Sequence, residues 1–316
     1  MNNKLIIFGS NFGSIIHLKA IKKLNNLKKI FICSPNVNNK DLKNDKIIKF
    51  KNYKKALKYQ QEIVGIVTPP NIQKKICEYI IKDKKKIKYI LLEKPVASRY
   101  KDVKKIINGL VKRKIKFLVN FIFENVSAIK KLVKILKGKK ILQVRYNWSF
   151  QQKYFQNKIK TWKTNYKLGG GLINFYLIHV FYNLNLFFNK LKIIKLESKK
   201  TGKLITKLDL LLQDQYKTNI FINININSNK REHMLLFKTI KNNYRIVNKS
   251  KDWVRHFYLY KDKKKINLKN ITIGRENLTA QNYVKLLSSK KIKKKTLDNI
   301  ILSHKLCDQI LNNIYK

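Results

Sequence analysis

Apolar and polar positions follow two different rhythms along this chain. Up to about residue 120, short apolar runs at 5–8, 30–33, 63–67, 89–92 and 117–121 are separated by lysine-rich stretches. In those stretches apolar residues recur every three or four positions, as in Ile72, Ile76 and Ile80, or Val103, Ile106, Ile107 and Leu110. Runs of four or five mainly apolar residues fit strands buried on both faces, and the spacing between them fits amphipathic helices. Strand and helix in alternation predict a parallel sheet covered on both sides.

After a helix predicted over 126–136, the pattern changes to long strand-like segments at 141–150, 191–197, 208–227, 232–248 and 253–260. Within the third, Ile222, Ile224 and Ile226 alternate with Asn223, Asn225 and Asn227, which places isoleucine on one face and amide on the other. Such a sheet needs cover, and a helix over 172–188 is expected to provide it. A further amphipathic helix is predicted over 296–314. The expected fold class is α/β: a parallel-sheet domain at 1–122, then an α+β domain with an open, mainly antiparallel sheet at 123–316.

Composition supports two cored domains, since 316 residues with 44% hydrophobic content can bury a core in each. Lys and Arg number 72 against 17 Asp and Glu, giving a formal charge of +55, yet only seven of the 72 are arginine. Arginine is the better fork for phosphate, so a lysine excess accompanied by much Asn and Ile reads as A/T-rich coding rather than a grip on nucleic acid. A polyanion-binding surface is the rival account, carried by lysine clusters at 84–88, 261–265 and 290–295. No pattern of a nucleic-acid-binding module accompanies them, so no specific nucleic acid is expected.

Cys33, Cys77 and Cys307 are odd in number and widely spaced, which excludes a disulfide scaffold and a zinc ribbon; no metal is expected. Only four apolar residues separate Lys4 from Gly9, far short of a secretory core, and a cytoplasmic location is expected. The 21 residues 168–188 carry no charge, which is long enough to span a membrane. Three glycines at one end, and Asn174, His179, Asn183 and Asn185 within, instead predict a buried helix beside a polar site, with no membrane span.

With only ten Gly and four Pro, the positions of these residues are informative. Gly9 and Gly13, in Gly9-Ser10-Asn11-Phe12-Gly13, follow the first strand, where a glycine turn lets backbone and a helix N-terminus approach a pyrophosphate; an ordinary strand–helix turn is the competing reading. Asn11 stands at the second glycine's place and tolerates positive φ. Thr68-Pro69-Pro70 closes the third of these strands and Glu93-Lys94-Pro95 the fourth, both at strand carboxyl ends, where open α/β sheets bind ligands. Lys94 is one lysine among many; its place between a buried strand and a proline distinguishes it from a solvated one.

The ordered set GSNFG with His17, VGIVTPPN, LLEKPVA and WKTNYKLGGGLINFYLIH resembles the Gfo/Idh/MocA oxidoreductases, the glucose-fructose oxidoreductase and inositol dehydrogenase family, over roughly residues 3–188. That resemblance implies a Rossmann domain binding NAD or NADP through Gly9, Asn11, Phe12, Gly13, Ser34, Thr68, Pro69, Pro70, Glu93 and Lys94. It also implies an α+β domain whose open sheet serves a homo-oligomer. Lys94 matches the lysine that contacts the substrate hydroxyl, and His179 the usual acid/base; Trp162, Lys163 and Tyr176 join them as substrate-binding candidates. The expected reaction is hydride transfer at a CH–OH or ketone carbon of a sugar, nucleotide-sugar or cyclitol.

Two positions depart from the family pattern, Phe175 where many members carry Asp and Gln73 where they carry His. They keep a catalytically reduced NAD(P)-binding protein in view, with a basic nucleic-acid binder as a more distant reading. His179 also reads as a core histidine. The second strand ends Ser34-Pro35-Asn36, without the acid that pairs with the ribose of NAD, so NADP is favoured, with Ser34 and Lys40 near its phosphate.

Overall fold

The first apolar runs do pair as a parallel sheet in the computed structural model, which describes residues 4–9, 12–24, 29–34, 47–59, 61–83, 87–250 and 252–315. Six strands, β1 (Lys4–Phe8), β2 (Lys29–Cys33), β3 (Ile47–Phe50), β4 (Ile63–Ile66), β5 (Tyr89–Leu92) and β6 (Lys116–Val119), lie in the order β3-β2-β1-β4-β5-β6. Every pairing is parallel. Leu5, Ile6, Ile7, Val64, Ile66, Ile90, Leu91 and Leu92 are fully enclosed, as strands covered on both faces require. The strand order reverses between β1 and β4, so their carboxyl ends open a crevice of the kind that binds ligands in doubly wound sheets.

Helices α1 (Phe12–Lys22), α2 (Tyr53–Ala56), α3 (Pro70–Lys82) and α4 (Tyr100–Lys112) connect these strands. Pro70 sits at the start of α3, where a missing N–H leaves no bond unmade. β3 lies at the edge, with Ile48 exposed, and its four residues escape the sequence pattern.

The chain divides into two compact units, Met1–Ile122 with Arg275–Ile301, and Phe123–Gly274 with Leu302–Lys316. Sequence reading assigns all of 123–316 to the second domain, whereas 275–301 joins the first. The cause is helix α8 (Arg275–Ser288), whose Tyr283 and Leu286 are fully buried in one cluster with Leu5, Ile7, Leu18 and Ile21. Thr279 and Asn282 are equally buried, and those polar residues interrupt the apolar spacing that would announce the helix.

In the second unit, α5 (Ser127–Leu136) leads into an eight-stranded sheet. Its strands are β7 (Ile141–Gln151), β8 (Leu191–Thr201), β9 (Leu204–Asp214), β10 (Asn219–Asn225), β11 (Asn227–Thr239), β12 (Asn243–Asn248), β13 (Phe257–Lys261) and β14 (Lys264–Ile266), in the order β14-β13-β12-β11-β7-β10-β9-β8. All neighbours are antiparallel except β7 and β10. Ile220, Ile222, Ile224 and Ile226 are buried, as their period of two predicts.

The segment 208–227, read as one strand, is parts of β9 and β10 broken at Asp214, whose carboxylate accepts from the N–H groups of Tyr216 and Thr218 at 2.9 and 2.8 Å. Likewise 232–248 folds back at 239–242, where the Thr239 hydroxyl donates to the Asn242 carbonyl at 2.7 Å. A short helix, α6 (Lys153–Gln156), follows β7; α7 (Ile178–Leu184) covers the sheet, and α9 (Lys294–Ile314) follows α8. Among the described residues no helix is long and apolar enough to cross a membrane, and the uncharged 168–188 stretch holds a covering helical run at 172–184, with residues 177–185 all buried.

Candidate functional site

At the crevice, the turn after β1 is built for close approach. Gly9 holds φ of +128°, and its N–H donates to the Cys33 carbonyl at 2.8 Å. A Cβ there would stand 2.5 Å from the Val67 carbonyl oxygen and 2.7 Å from Ser14 Oγ; one on Gly13 would stand 2.5 Å from Val67 Cγ1. The glycine turn and the end of β4 are thus in contact only because both glycines lack side chains. Ser14 Oγ and Thr68 Oγ1 are buried beside this contact with no hydrogen-bond partner among the described residues. Two orphaned hydroxyls and a cradle that any Cβ would fill suit the phosphates of a dinucleotide at the start of α1. Ser34 follows β2, its N–H bonded to the Phe50 carbonyl at 2.8 Å. Asn11 and Lys40 lie outside the described residues, and Phe12 opens α1.

Thr68, Pro69 and Pro70 follow β4, and Glu93 and Lys94 follow β5, so these candidates share the carboxyl edge of one sheet with Gly9 and Gly13. The Lys94–Pro95 peptide is cis. Gln73 turns out to be a clamp on this segment. Fully buried, its carbonyl accepts from the Glu93 N–H at 2.9 Å, and its amide nitrogen faces the carbonyls of Glu93, Pro95 and Val96 at 2.8, 3.1 and 3.0 Å. The side chain that departs from the family pattern holds backbone.

A buried polar network that sequence reading missed lies behind Glu93. Its carboxylate meets His17 Nε2 at 3.0 Å and accepts from Asn120 at 2.7 Å. His17 Nδ1 lies 2.9 Å from the Tyr283 hydroxyl, and Asn120 accepts from Asn282 at 2.8 Å. Nε2 thus faces the carboxylate and Nδ1 the Tyr283 hydroxyl, so both ring nitrogens are engaged. Gly65 makes room for that hydroxyl, since a Cβ there would lie 2.5 Å from it. Burial pushes the Glu93 pKa upward, but the bond and charge of His17, the Asn120 bond and the Lys94 charge outweigh it and hold the carboxyl below its ordinary value. The Tyr283 hydroxyl is pushed far up, by burial first and then by Glu93. His17, eight residues after Gly9 on a helix facing the sheet, was the available signal; its partner Tyr283 is 266 residues away.

In the second unit, the segment 161–171 folds as two capped turns. Thr161 accepts from the Lys163 N–H at 3.1 Å, and Asn165 from the Lys167 N–H at 3.0 Å. A Cβ on Gly170 would stand 2.0 Å from the Trp162 carbonyl oxygen, and Gly171 has φ of +76° with ψ of 178°, a region open essentially to glycine alone. The triplet therefore docks the Trp162–Lys163 turn against a π-helical segment, Leu172–Leu177, which runs into α7. Such widened turns recur at functional sites.

Trp162 meets Phe175 edge-on at 5.6 Å, and Lys163 Nζ donates to the Tyr154 hydroxyl at 2.8 Å while lying 5.8 Å from the Phe175 ring. Tyr176 accepts from Gln152 at 3.1 Å. His179, three residues on, is 7% exposed, its ring edge-on to Phe123 at 4.9 Å. Helix α9 braces this region: Asn185 donates to the Ser303 hydroxyl at 3.0 Å, and Tyr315 stacks on Tyr166 at 3.9 Å. Trp162, Lys163 and Tyr176 gather around Phe175. The position where the family pattern has a carboxylate is an aromatic support.

Beneath α7, the sheet carries an aromatic wall in which His233 stacks on Trp148 at 4.6 Å and its Nε2 lies 3.0 Å from the Tyr146 hydroxyl. Burial, and secondarily Arg231, pushes the His233 imidazole down to about 3. An unfolded histidine, near 6.5, binds a proton that the folded one refuses, so stability is present above pH 6.5 and is lost as pH falls toward 3. Urea unfolding at pH 7.5 and at points down to pH 5 should show this loss, its His233 share approaching ~1.4 kcal/mol per pH unit. The lowered Glu93 carboxyl adds its own loss only as pH falls through the carboxylate range. His233→Gln, which can still accept from Tyr146, should flatten the slope between pH 6.5 and 5; an unchanged slope would remove His233 from the account.

Residues 4–121 match the family model described as Oxidoreductase family, NAD-binding Rossmann fold, GFO_IDH_MocA. The match is to the Rossmann part of the Gfo/Idh/MocA oxidoreductases. No curated protein matches it in sequence. Solved structures extend the likeness of fold to the whole chain. A 3-ketoreductase from Actinomadura kijaniata, in complex with NADP and TDP-benzene, is 10% identical with a TM-score of 0.81, over 99% of this chain and 98% of that one. The WlbA dehydrogenase from Bordetella pertussis, with NADH and UDP-GlcNAcA, is 15% identical with a TM-score of 0.78, over 100% and 97%. Levoglucosan dehydrogenase with NADH and L-sorbose is 12% identical with a TM-score of 0.82, over 100% and 97%. The Gfo/Idh/MocA match spans the glycine turn, the Thr68-Pro69-Pro70 turn and Glu93-Lys94-Pro95, so each crevice motif described above falls inside it. Among the described residues no group of three or more His, Cys, Asp or Glu is placed to hold a metal ion.

Proposed function

We propose that the protein is an NAD(P)-dependent oxidoreductase that transfers hydride at a CH–OH or ketone carbon of a sugar, nucleotide-sugar or cyclitol. The observation that carries this reading is the crevice edge, where the Gly9–Val67 contact, the orphaned hydroxyls of Ser14 and Thr68, and Glu93-Lys94 end three neighbouring parallel strands. Gly9, Asn11, Phe12, Gly13, Ser34, Thr68, Pro69, Pro70 and Glu93 would hold the dinucleotide. A bound nicotinamide supplies the hydride donor or acceptor. Lys94 binds the substrate hydroxyl and stabilises its developing alkoxide, and His179 takes or returns the hydroxyl proton. Trp162, Lys163 and Tyr176 contact the rest of the substrate.

The sugar and nucleotide-linked ligands of the structural neighbours support this substrate class. NADP is the preferred dinucleotide, because no acid follows β2 and Ser34 stands at its end. The open sheet of the second unit serves a homo-oligomer, and three buried thiols suit a reducing, cytoplasmic location. Phe175 favours one other reading, a cofactor-binding protein with reduced catalysis.

The test offers purified protein NADPH or NADH with keto-sugars and nucleotide-linked keto-sugars, and the oxidised cofactors with the matching alcohols and cyclitols, following nicotinamide absorbance. Turnover on at least one substrate, with NADPH bound tighter than NADH, is the expected outcome. Binding without turnover would favour the reduced reading, and absence of binding would overturn both.

A further inference from the structure

Tyr176 belongs to a row of aromatic rings that continues past the substrate contacts named above. From Trp162 the row passes edge-on through Phe175 at 5.6 Å, Tyr176 at 4.9 Å and Phe150 at 5.1 Å to Trp253 at 4.2 Å. All but Phe150 are half-buried, so the row keeps an accessible side. Trp253 stands on a loop pinned by Asn248, whose amide donates to the carbonyls of Asp252 and Arg255 at 3.1 and 2.9 Å. Trp148 meets Trp253 edge-on at 5.5 Å, and its buried indole N–H has no hydrogen-bond partner among the described residues.

The far end of this row carries a placed cation. β11 is irregular between Asn227 and Glu232, which takes Arg231 out of the regular alternation, and its guanidinium lies over the Trp253 ring at 5.3 Å. Stacking engages the flat face of a guanidinium and leaves its N–H edge to fork an oxyanion. Asp252, whose charge Arg231 feels, is paired with Arg255 at 3.4 Å. In a chain whose charge is carried by lysine, Arg231 is one of only seven arginines. We propose that Trp253 and Arg231 form a subsite for a nucleoside diphosphate group of the substrate, so that the sugar presented beside Tyr176 is nucleotide-linked rather than a free sugar or cyclitol. Five rings in a row offer more stacking surface than one sugar ring covers; Trp253 suits a base and the Arg231 fork its phosphates. This rests on the reading that the second unit binds substrate around Tyr176.

The test reads binding before turnover. Full-length protein is titrated with uridine diphosphate, which lacks the adenine of the dinucleotide, and tryptophan fluorescence is followed. Saturable quenching is expected. Arg231→Ala should weaken it about tenfold or more, whereas Lys230→Ala, which removes the same charge from the exposed residue beside it, should leave it unchanged. Arg231→Lys keeps the charge and loses the fork, and should recover only part of the loss. Absence of saturable quenching, equal affinity in Arg231→Ala and the parent, or equal losses in Arg231→Ala and Lys230→Ala would each overturn the proposal. So would full recovery in Arg231→Lys, or glucuronate binding as tightly as uridine diphosphate, since a charge or a carboxylate alone would then suffice.

Turnover and cofactor titration keep this claim apart from the reading beneath it. Arg231→Ala should raise KM for nucleotide-linked keto-sugars about tenfold with kcat near that of the parent, and should bind NADPH as the parent does. Turnover confined to free sugars or cyclitols would overturn the subsite and leave the oxidoreductase reading intact. A parent protein that binds no nicotinamide, yet binds uridine diphosphate in an Arg231-dependent way, would sink the oxidoreductase reading and leave the nucleotide site standing.

Discussion

Lys94→Ala and His179→Ala should each lower hydride transfer by roughly 10²–10⁴-fold while leaving nicotinamide binding close to that of the parent. In the proposed function both residues act on the substrate hydroxyl, whereas the dinucleotide would be held by the glycine turn and the ends of β1, β2 and β4. Steady-state turnover with cofactor titration of the same samples checks this. For His179 the competing reading is a packed core histidine, since it is 7% exposed and edge-on to Phe123. A purely structural role predicts a loss of about 1–3 kcal/mol in unfolding free energy with no selective effect on turnover. Unchanged turnover in His179→Ala would contradict its role as acid/base.

The second large effect falls on cofactor binding. Gly9→Ala would put a methyl group 2.5 Å from the Val67 carbonyl oxygen, on a backbone at φ +128°. Neither obstacle is a flexible side-chain end, so β1 and β4 must separate at the crevice. The expected result is a loss of about 2–4 kcal/mol in stability and at least ~100-fold in nicotinamide affinity. Gly138→Ala is the control, because Gly138 also has positive φ but nothing lies within 4 Å of an added Cβ. It should lose about 1 kcal/mol and bind cofactor normally. Equal affinity in Gly9→Ala and the parent would contradict the cradle.

The first sheet was legible because strands enclosed on both faces must be apolar throughout, as in residues 5–8 and 89–92. The Ile220–Ile226 alternation was legible for the opposite reason, one face covered and one not. What escaped the sequence was settled by polar residues in buried places. Helix α8 carries Thr279 and Asn282 inward, so no apolar stripe marks it, and the fold at Asp214 is made by a side-chain carboxylate within an otherwise strand-like run.

At the candidate site, the motif order located the glycine turn, Thr68 and Lys94 at one sheet edge. The network behind Glu93 was not legible, because its members come from residues 17, 93, 120 and 279–283 and meet only in the folded unit. Gln73 and Phe175 looked like losses by comparison with the family pattern. In the structure one clamps the Lys94 segment and the other supports Trp162 and Lys163.

The most direct test of the whole account is equilibrium titration of the purified protein with NADPH and NADH, followed by nicotinamide fluorescence. The account predicts saturable binding of one dinucleotide per chain, tighter for NADPH, displaced by the oxidised form and lost in Gly9→Ala. Fluorescence that rises in proportion to added cofactor without saturating, or binding that survives Gly9→Ala undiminished, would contradict it.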